Sequence, residues 1–233
     1  MKQSYQAERV SSLYIHIPFC LSKCFYCSFS SFTGMAEYHD RYVKALNCHI
    51  RSSQTGLQTE PLRTLFIGGG TPTILEAEKL VEIIETCRNT YRFSDDIEIS
   101  VEANPGTIDP VKLRIIRDGG VNRLSIGIQS FDDKELQRLG RVHRSETGIQ
   151  AVYDAREAGF ENISLDLMYG VPGQSTASWQ KNLEQAVALE PHHLSLYQLT
   201  IEEGSDFYHH PQSNGLGLPE DDMIIEMEQF TNS

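Results

Sequence analysis

Three cysteines stand within eight residues, in "CLSKCFYC" at positions 20–27, directly after an apolar run that ends in Pro18. Soft thiolates suit iron–sulfur clusters and zinc. Three thiolates from one loop can hold three irons of a [4Fe–4S] cluster, leaving the fourth iron open to a small chelating molecule. Zinc held by three cysteines and a histidine is the rival, with His16 upstream of Cys20 as the candidate fourth ligand. A zinc ribbon would carry a second C-x2-C pair, which the sequence lacks, and a bacterial ferredoxin run would read C-x2-C-x2-C. Three bare thiols so close together would oxidise. Cys48 and Cys87 lie inside helix-like patterns and read as small core residues.

Other residues could meet a ligand at the ends of strand-like runs. "GGGTP" (68–72) follows one such run; glycines there let backbone groups approach a ligand that a Cβ would block. It is not a P-loop, since no Gly-Lys-Ser/Thr follows. Asp166 alternates with Leu165 and Leu167 in "ISLDLM", so its carboxylate faces away from them and needs ribose hydroxyls, a cation or an arginine as partner. Glu102 and Gln129 each end a strand candidate. Glu102 could equally cap the turn after Pro105, and Gln129 could satisfy loop backbone. Arg141, in the basic "QRLGRVHR", reads equally as a solvated surface charge.

These groups need elements to hold them. Strand candidates fall at 13–17, 64–67, 97–101, 123–128, 163–168 and 193–199. Helix patterns lie between them: 35–51 (stripe Tyr38, Tyr42, Leu46, Ile50), 75–89 (Leu80, Ile83, Ile84, Cys87), 109–118, 132–139, 145–158 and 176–189. Gly119–Gly120 and Gly159 supply helix stops. Repeated βα units imply parallel strands with right-handed crossovers. A doubly wound sheet would spread the polar strand ends along one edge, whereas a partial barrel brings them to one mouth. Their convergence favours an α/β partial (β/α)6 barrel.

Composition sets the surroundings. A chain of 233 residues can bury one sizeable core. The formal charge of -12 argues against nucleic-acid backbone binding. No apolar run is long enough to span a bilayer, and residues 1–10 lack the apolar stretch of a signal peptide. Five cysteines, three of them crowded, make a poor disulfide framework and fit a reducing cytoplasm.

The spacing C-x3-C-x2-C after a first strand, with Tyr26 before the last cysteine, resembles the radical S-adenosylmethionine (SAM) superfamily. "LYIHIPFCLSKCFYC", "TLFIGGGTPTIL", "VEANPGT", "LSIGIQSFDDKELQRLGRVH" and "ISLDLMYGVPGQ" are similar to its oxygen-independent coproporphyrinogen III oxidase-like group, and especially to HemW-type heme chaperones. Phe29 stands where the oxidases usually carry another cysteine, which favours the chaperone branch. The resemblance implies a [4Fe–4S] cluster on Cys20, Cys24 and Cys27, with SAM on its open iron. It places SAM against Tyr14, Tyr26, Gly69, Gly70, Thr71, Glu102, Gln129, Arg141 and Asp166. It implies heme binding, delivery to recipient hemoproteins and a reducing electron donor. The alternative is an enzyme that decarboxylates coproporphyrinogen III oxidatively through a deoxyadenosyl radical.

The resemblance divides the chain into a barrel domain (1–208) and a lead-in (209–233) to a C-terminal domain. The family's His-Asn-x-x-Tyr-Trp motif does not occur; the single tryptophan is Trp179, in a helix pattern. The acidic amphipathic run 218–230 would then expose Met223, Ile224, Met227 and Phe230 and favour a homodimer. The histidine pairs His192–His193 and His209–His210 are weaker candidates for a heme ligand than for surface residues.

Overall fold

The computed structural model describes residues 10–53, 59–209 and 217–232. Six parallel strands make the main sheet: β1 (Val10–Ile17), β4 (Thr59–Gly69), β5 (Phe93–Ala103), β6 (Arg123–Gln129), β7 (Ile163–Tyr169) and β8 (His193–Gln198). A second, two-stranded parallel pair, β2 (Phe19–Cys20) and β3 (Phe32–Thr33), closes the thiol loop. The helices are α1 (His39–Ser53), α2 (Ala77–Thr90), α3 (Pro110–Asp118), α4 (Asp133–Arg138), α5 (Ser145–Glu157), α6 (Thr176–Ala188), α7 (Asp206–His209) and α8 (Asp221–Thr231).

The strand order β1-β4-β5-β6-β7-β8 follows the chain without reversal. Every crossover therefore steps the same way, and the rule of right-handed connections puts all the crossover helices on one face. A doubly wound sheet would reverse its order at a switch point, and this one does not. The sheet is the partial barrel expected from the sequence, open between β1 and β8. Its outer face is apolar: Ile15, Leu65, Ile99, Leu124, Ile126 and Leu165 join one core with the helices' Leu80, Ile83, Leu113, Val152 and Trp179. The inner face carries polar and small residues at its strand ends, among them Glu102, Gly127 and Asp166.

Three sequence expectations are corrected. Tyr38 falls in a 3-10 turn (Ala36–Tyr38) ahead of α1 and is exposed, because the first helical turn overhangs the core. Cys48 is exposed: it follows Asn47, which α1 buries with Val43 and Ile50, and one step turns a helical side chain by about 100°. Cys87 is fully buried, and burial pushes its thiol up to about 12.

The third correction concerns α8. Met227 is buried in the main core, with Met223 and Ile224 packed against it. Trp179 Nε1 donates to Thr231 Oγ1 at 2.9 Å, and Thr176 Oγ1 donates to Glu226 at 2.9 Å. Met223, Ile224 and Met227 thus turn to the barrel's own core rather than standing open for a second copy, whereas Phe230 stays exposed. Among the described residues, no helix is long and apolar enough to cross a membrane.

Candidate functional site

A cavity of about 480 Å³ opens at the carboxyl ends of the strands. The thiol loop borders it on one side. Cys20 is buried at the end of β2, and Thr71 Oγ1 donates to its sulfur at 3.6 Å. Cys24 and Cys27 follow on a turn closed by Cys27 N–H donating to Cys24 O at 3.0 Å. Burial raises the Cys27 thiol, so a bound metal would have to draw off its proton. The loop is stitched to the barrel by Phe25 N–H to Leu139 O (3.0 Å) and Phe207 N–H to Phe25 O (2.9 Å).

The glycine run lies directly against the thiols. Gly70 N–H donates to Ile17 O and Thr71 N–H to Phe19 O, at 2.8 and 2.7 Å. A Cβ on Gly70 would stand 2.6 Å from Phe19 O and 2.9 Å from Cys20 Sγ, so only glycine fits there. Gly69, at φ +117°, donates its N–H to Glu102 Oε2 at 3.0 Å. The capping role weighed for Glu102 belongs to Asn104, whose Oδ1 accepts from Gly106 N–H at 3.0 Å.

The far wall carries Asp166, Gln129 and Arg141. Asp166 accepts from Ser125 Oγ at 3.0 and 3.1 Å and also from Ser195, so hydroxyls rather than an arginine hold it. Burial raises the carboxyl pKa of both Asp166 and Glu102, and the Asp166 charge raises Glu102 further. Gln129 has a left-handed backbone, φ +67°, where β6 breaks register with β7. Arg141 is no solvated surface charge. It donates to Gly127 O at 2.5 Å, to Cys24 Sγ at 3.5 Å and to Tyr26. Its Nε is buried without a partner among the described residues. Tyr26 is half-buried, and desolvation pushes its phenol far up.

Cys20, Cys24, Cys27, Tyr26, Gly69, Gly70, Thr71, Glu102, Gln129, Arg141 and Asp166 thus line one cavity. Tyr14 stays outside it, half exposed, with its hydroxyl 3.1 Å from His16 Nδ1. Its register partner is Phe66, two residues before Gly68 at the rim. The sequence reading missed Lys23, Asn104, Met168 and Tyr197, which also line the cavity. Asn104 and Met168 follow or alternate with recognised site residues, a signal that was there to be read. His192 accepts from Ile163 N–H at 3.3 Å, a structural use, and His209 packs edge-on against Tyr208. His210 lies outside the described residues.

The donor set fits a cluster better than a single ion. His16, the zinc reading's fourth ligand, has both ring nitrogens engaged, by Tyr14 and by Ser30 O. Among the described residues, no three His, Cys, Asp or Glu side chains close on one ion point. A four-iron cluster would take one thiolate at each of three corners and leave the fourth iron open. Beside it, the unpartnered Arg141 Nε and the raised carboxyls leave both charges for a ligand that carries carboxylate, ammonium and hydroxyl groups.

Residues 14–186 match the model of the Radical SAM superfamily. Across 225 residues the chain is 39% identical to the heme chaperone HemW of Bacillus subtilis, covering 96% of this chain and 59% of the relative. It is 41% identical to heme chaperone HemW of Escherichia coli, covering 93% and 56%. Coproporphyrinogen III oxidase HemN of Escherichia coli, a radical SAM enzyme, superposes with a TM-score of 0.81 at 30% identity, covering 94% of this chain and 51% of that one. The chain therefore spans less than three-fifths of the length of these relatives.

Proposed function

The chain belongs to the radical SAM superfamily, whose cofactors are a [4Fe–4S] cluster and SAM, and from that premise we propose that it is the barrel of a heme chaperone. The carrying observation is the thiol loop bordering a cavity whose glycine run, two raised carboxyls and half-buried arginine stand together. Cys20, Cys24 and Cys27 hold the cluster in this reading. Gly69, Gly70 and Thr71 present backbone groups to the amino-acid end of SAM, Arg141 neutralises its carboxylate, and Asp166 accepts from its ribose. When bound and reduced, the cluster supplies the electron that can cleave the sulfonium of SAM. The barrel's part is to orient the pair and to exclude water.

Heme binding and delivery to hemoproteins rest on the likeness to the two HemW chaperones across almost the whole of this chain. Phe29, 63% exposed at the cavity rim, supports that branch: it offers an aromatic face where a further thiol would mark an oxidase. The second reading, oxidative decarboxylation of coproporphyrinogen III, is favoured by the superposition on HemN.

Anaerobic reconstitution followed by iron and sulfide analysis tests the cofactor assignment. About four irons per chain are expected, with an electron paramagnetic resonance signal that SAM alters. Cys24→Ala abolishes the cluster and Cys87→Ala keeps it; full cluster absorbance in Cys24→Ala would sink the ligand assignment. Heme titration then separates the two readings: tight heme binding without deoxyadenosine from coproporphyrinogen III supports the chaperone, and turnover supports the enzyme.

A further inference from the structure

Tyr14 and His16 do not line the cavity, yet their side chains are joined. His16 Nε2 lies 2.9 Å from Ser30 O, on the limb of the thiol loop that returns after Cys27. A carbonyl oxygen only accepts, so Nε2 carries the proton. In the neutral ring Nδ1 then offers a lone pair, and the Tyr14 hydroxyl donates to it at 3.1 Å. Tyr14 is itself steadied by stacking on Phe66, with ring centroids 6.0 Å apart and planes 24° apart. Tyr42 Oη donates to His16 O at 2.6 Å and fixes the backbone beneath the ring.

A second observation comes from the glycine run. A Cβ on Gly69 would stand 2.7 Å from both Cε1 and Nδ1 of His16. The bare Gly69 thus makes room for the imidazole, besides giving its N–H to Glu102. Two residues beyond Ser30, Phe32 N–H donates to Pro18 O at 2.8 Å and β3 pairs with β2. The loop is therefore pinned beyond Ser30 by backbone bonds and at Ser30 by a side chain.

We infer that Tyr14 and His16 are positioning residues, a strap in which the tyrosine fixes the tautomer and tilt of the histidine and the histidine holds the returning limb of the thiol loop to the sheet. The bearing on iron retention rests on the cluster reading above; the loop-holding itself does not.

The test uses the whole chain with His16→Ala, His16→Gln and Tyr14→Phe. Glutamine Nε2 can reach Ser30 O much as the imidazole does, so it serves as the rescue. Amide hydrogen exchange over residues 28–32 is measured on the metal-free chain, and iron release to a chelator and SAM affinity on the reconstituted chain. His16→Ala should speed loop exchange about tenfold, the effect of losing one hydrogen bond and the ring's packing. Iron release should rise with it. Tyr14→Phe should show about a third of the effect, and His16→Gln should return most of the wild-type behaviour. Equal loop exchange in wild type and both Tyr14→Phe and His16→Ala overturns the strap, as does Tyr14→Phe weakening SAM binding while loop exchange stays put. If even the wild type takes up no iron, the cluster reading falls, and the exchange data still decide the strap.

Discussion

Two polar clusters sit near each other at the strand ends of β6 and β7, and they are built on opposite terms. In the first, Glu135 is 2% exposed and accepts from Ser130 Oγ (2.6 Å), Ser178 Oγ (2.6 Å), Gln174 Nε2 (3.0 Å) and Asn182 Nδ2 (3.2 Å). The partners pass the bonding on: Gln174 Oε1 accepts from Gly170 N–H, and Asn182 Oδ1 from Phe131 N–H. In the second cluster, Glu102 and Asp166 face a cavity with raised carboxyl pKa values, and Arg141 keeps an unpartnered nitrogen. A buried carboxylate with four donors has its desolvation offset internally and locks loops together. Polar groups left short of partners beside open space are offset only when something enters. Both sets are built from buried or half-buried polar side chains around a carboxylate; the space beside them assigns one to scaffold and one to ligand.

The sharpest way to break this contrast is to remove Glu135. Glu135→Ala leaves buried donors without an acceptor and should cost about 3 kcal/mol, on the scale of breaking a buried polar set. For a domain of this size that lowers Tm by roughly 6–12 °C. A variant melting with the wild type would make the hub dispensable. A smaller effect follows from His143, buried beside Arg141 with its pKa lowered to about 4 by burial and by that charge. The fold favours the neutral ring, so its contribution is complete above the ordinary histidine value of 6.5 and is lost as pH falls toward 4. His143→Gln should flatten this acid loss, recovering on the order of 1 kcal/mol at pH 5.5 by denaturant titration.

Asp166 has the opposite sign and the smallest effect on stability. Its folded pKa is raised, so the ionised form is the disfavoured one. Stability from this group is present below the ordinary carboxylate value and is lost as pH rises through the raised one. Asp166→Asn should thus leave the cofactor-free chain at pH 7 as stable as wild type, or firmer by less than about 1 kcal/mol. The same variant should weaken SAM binding about tenfold, the loss of a charge-assisted hydrogen bond. A large loss of stability in Asp166→Asn would move Asp166 from the ligand side of the comparison to the scaffold side.

Local pattern made one of these clusters legible and not the other. Asp166 stood out because two leucines flank it in a strand and send it to the other face, where the structure puts it. The thiols stood out by spacing and the glycine run by its place after a strand; the structure adds that a Cβ on Gly70 would touch Cys20. Glu135 gave no such sign: "FDDKELQRL" reads as a solvated helix, and its partners Gln174, Ser178 and Asn182 arrive from an element some forty residues downstream. Tyr14 shows the limit of pattern in another way. Alternation puts it on the face of His16, but β1 is an edge strand, and the ring stays half exposed and outside the cavity lining. Cys48 and Cys87 differ by their place on a helical wheel, and stripe reading settles that only when the stripe is drawn through the right residues. The fold itself was carried by strand and helix periodicity, which depends on nearest neighbours alone; the strand boundaries moved outward where pairing partners extended them.

The order of the strands has a consequence for how the chain is made. Synthesis delivers the thiol loop first, whereas the wall that faces it comes from β6, β7 and the Arg141 segment. At ribosomal speeds of about 5–20 residues per second, roughly 7–27 s pass between the emergence of Cys27 and that of β7. During that interval the nascent chain offers three unshielded thiols to any oxidant or stray metal. Cluster loading is accordingly a task for the completed chain, and the newborn chain depends on surroundings that keep its first fold element reduced until the last ones arrive.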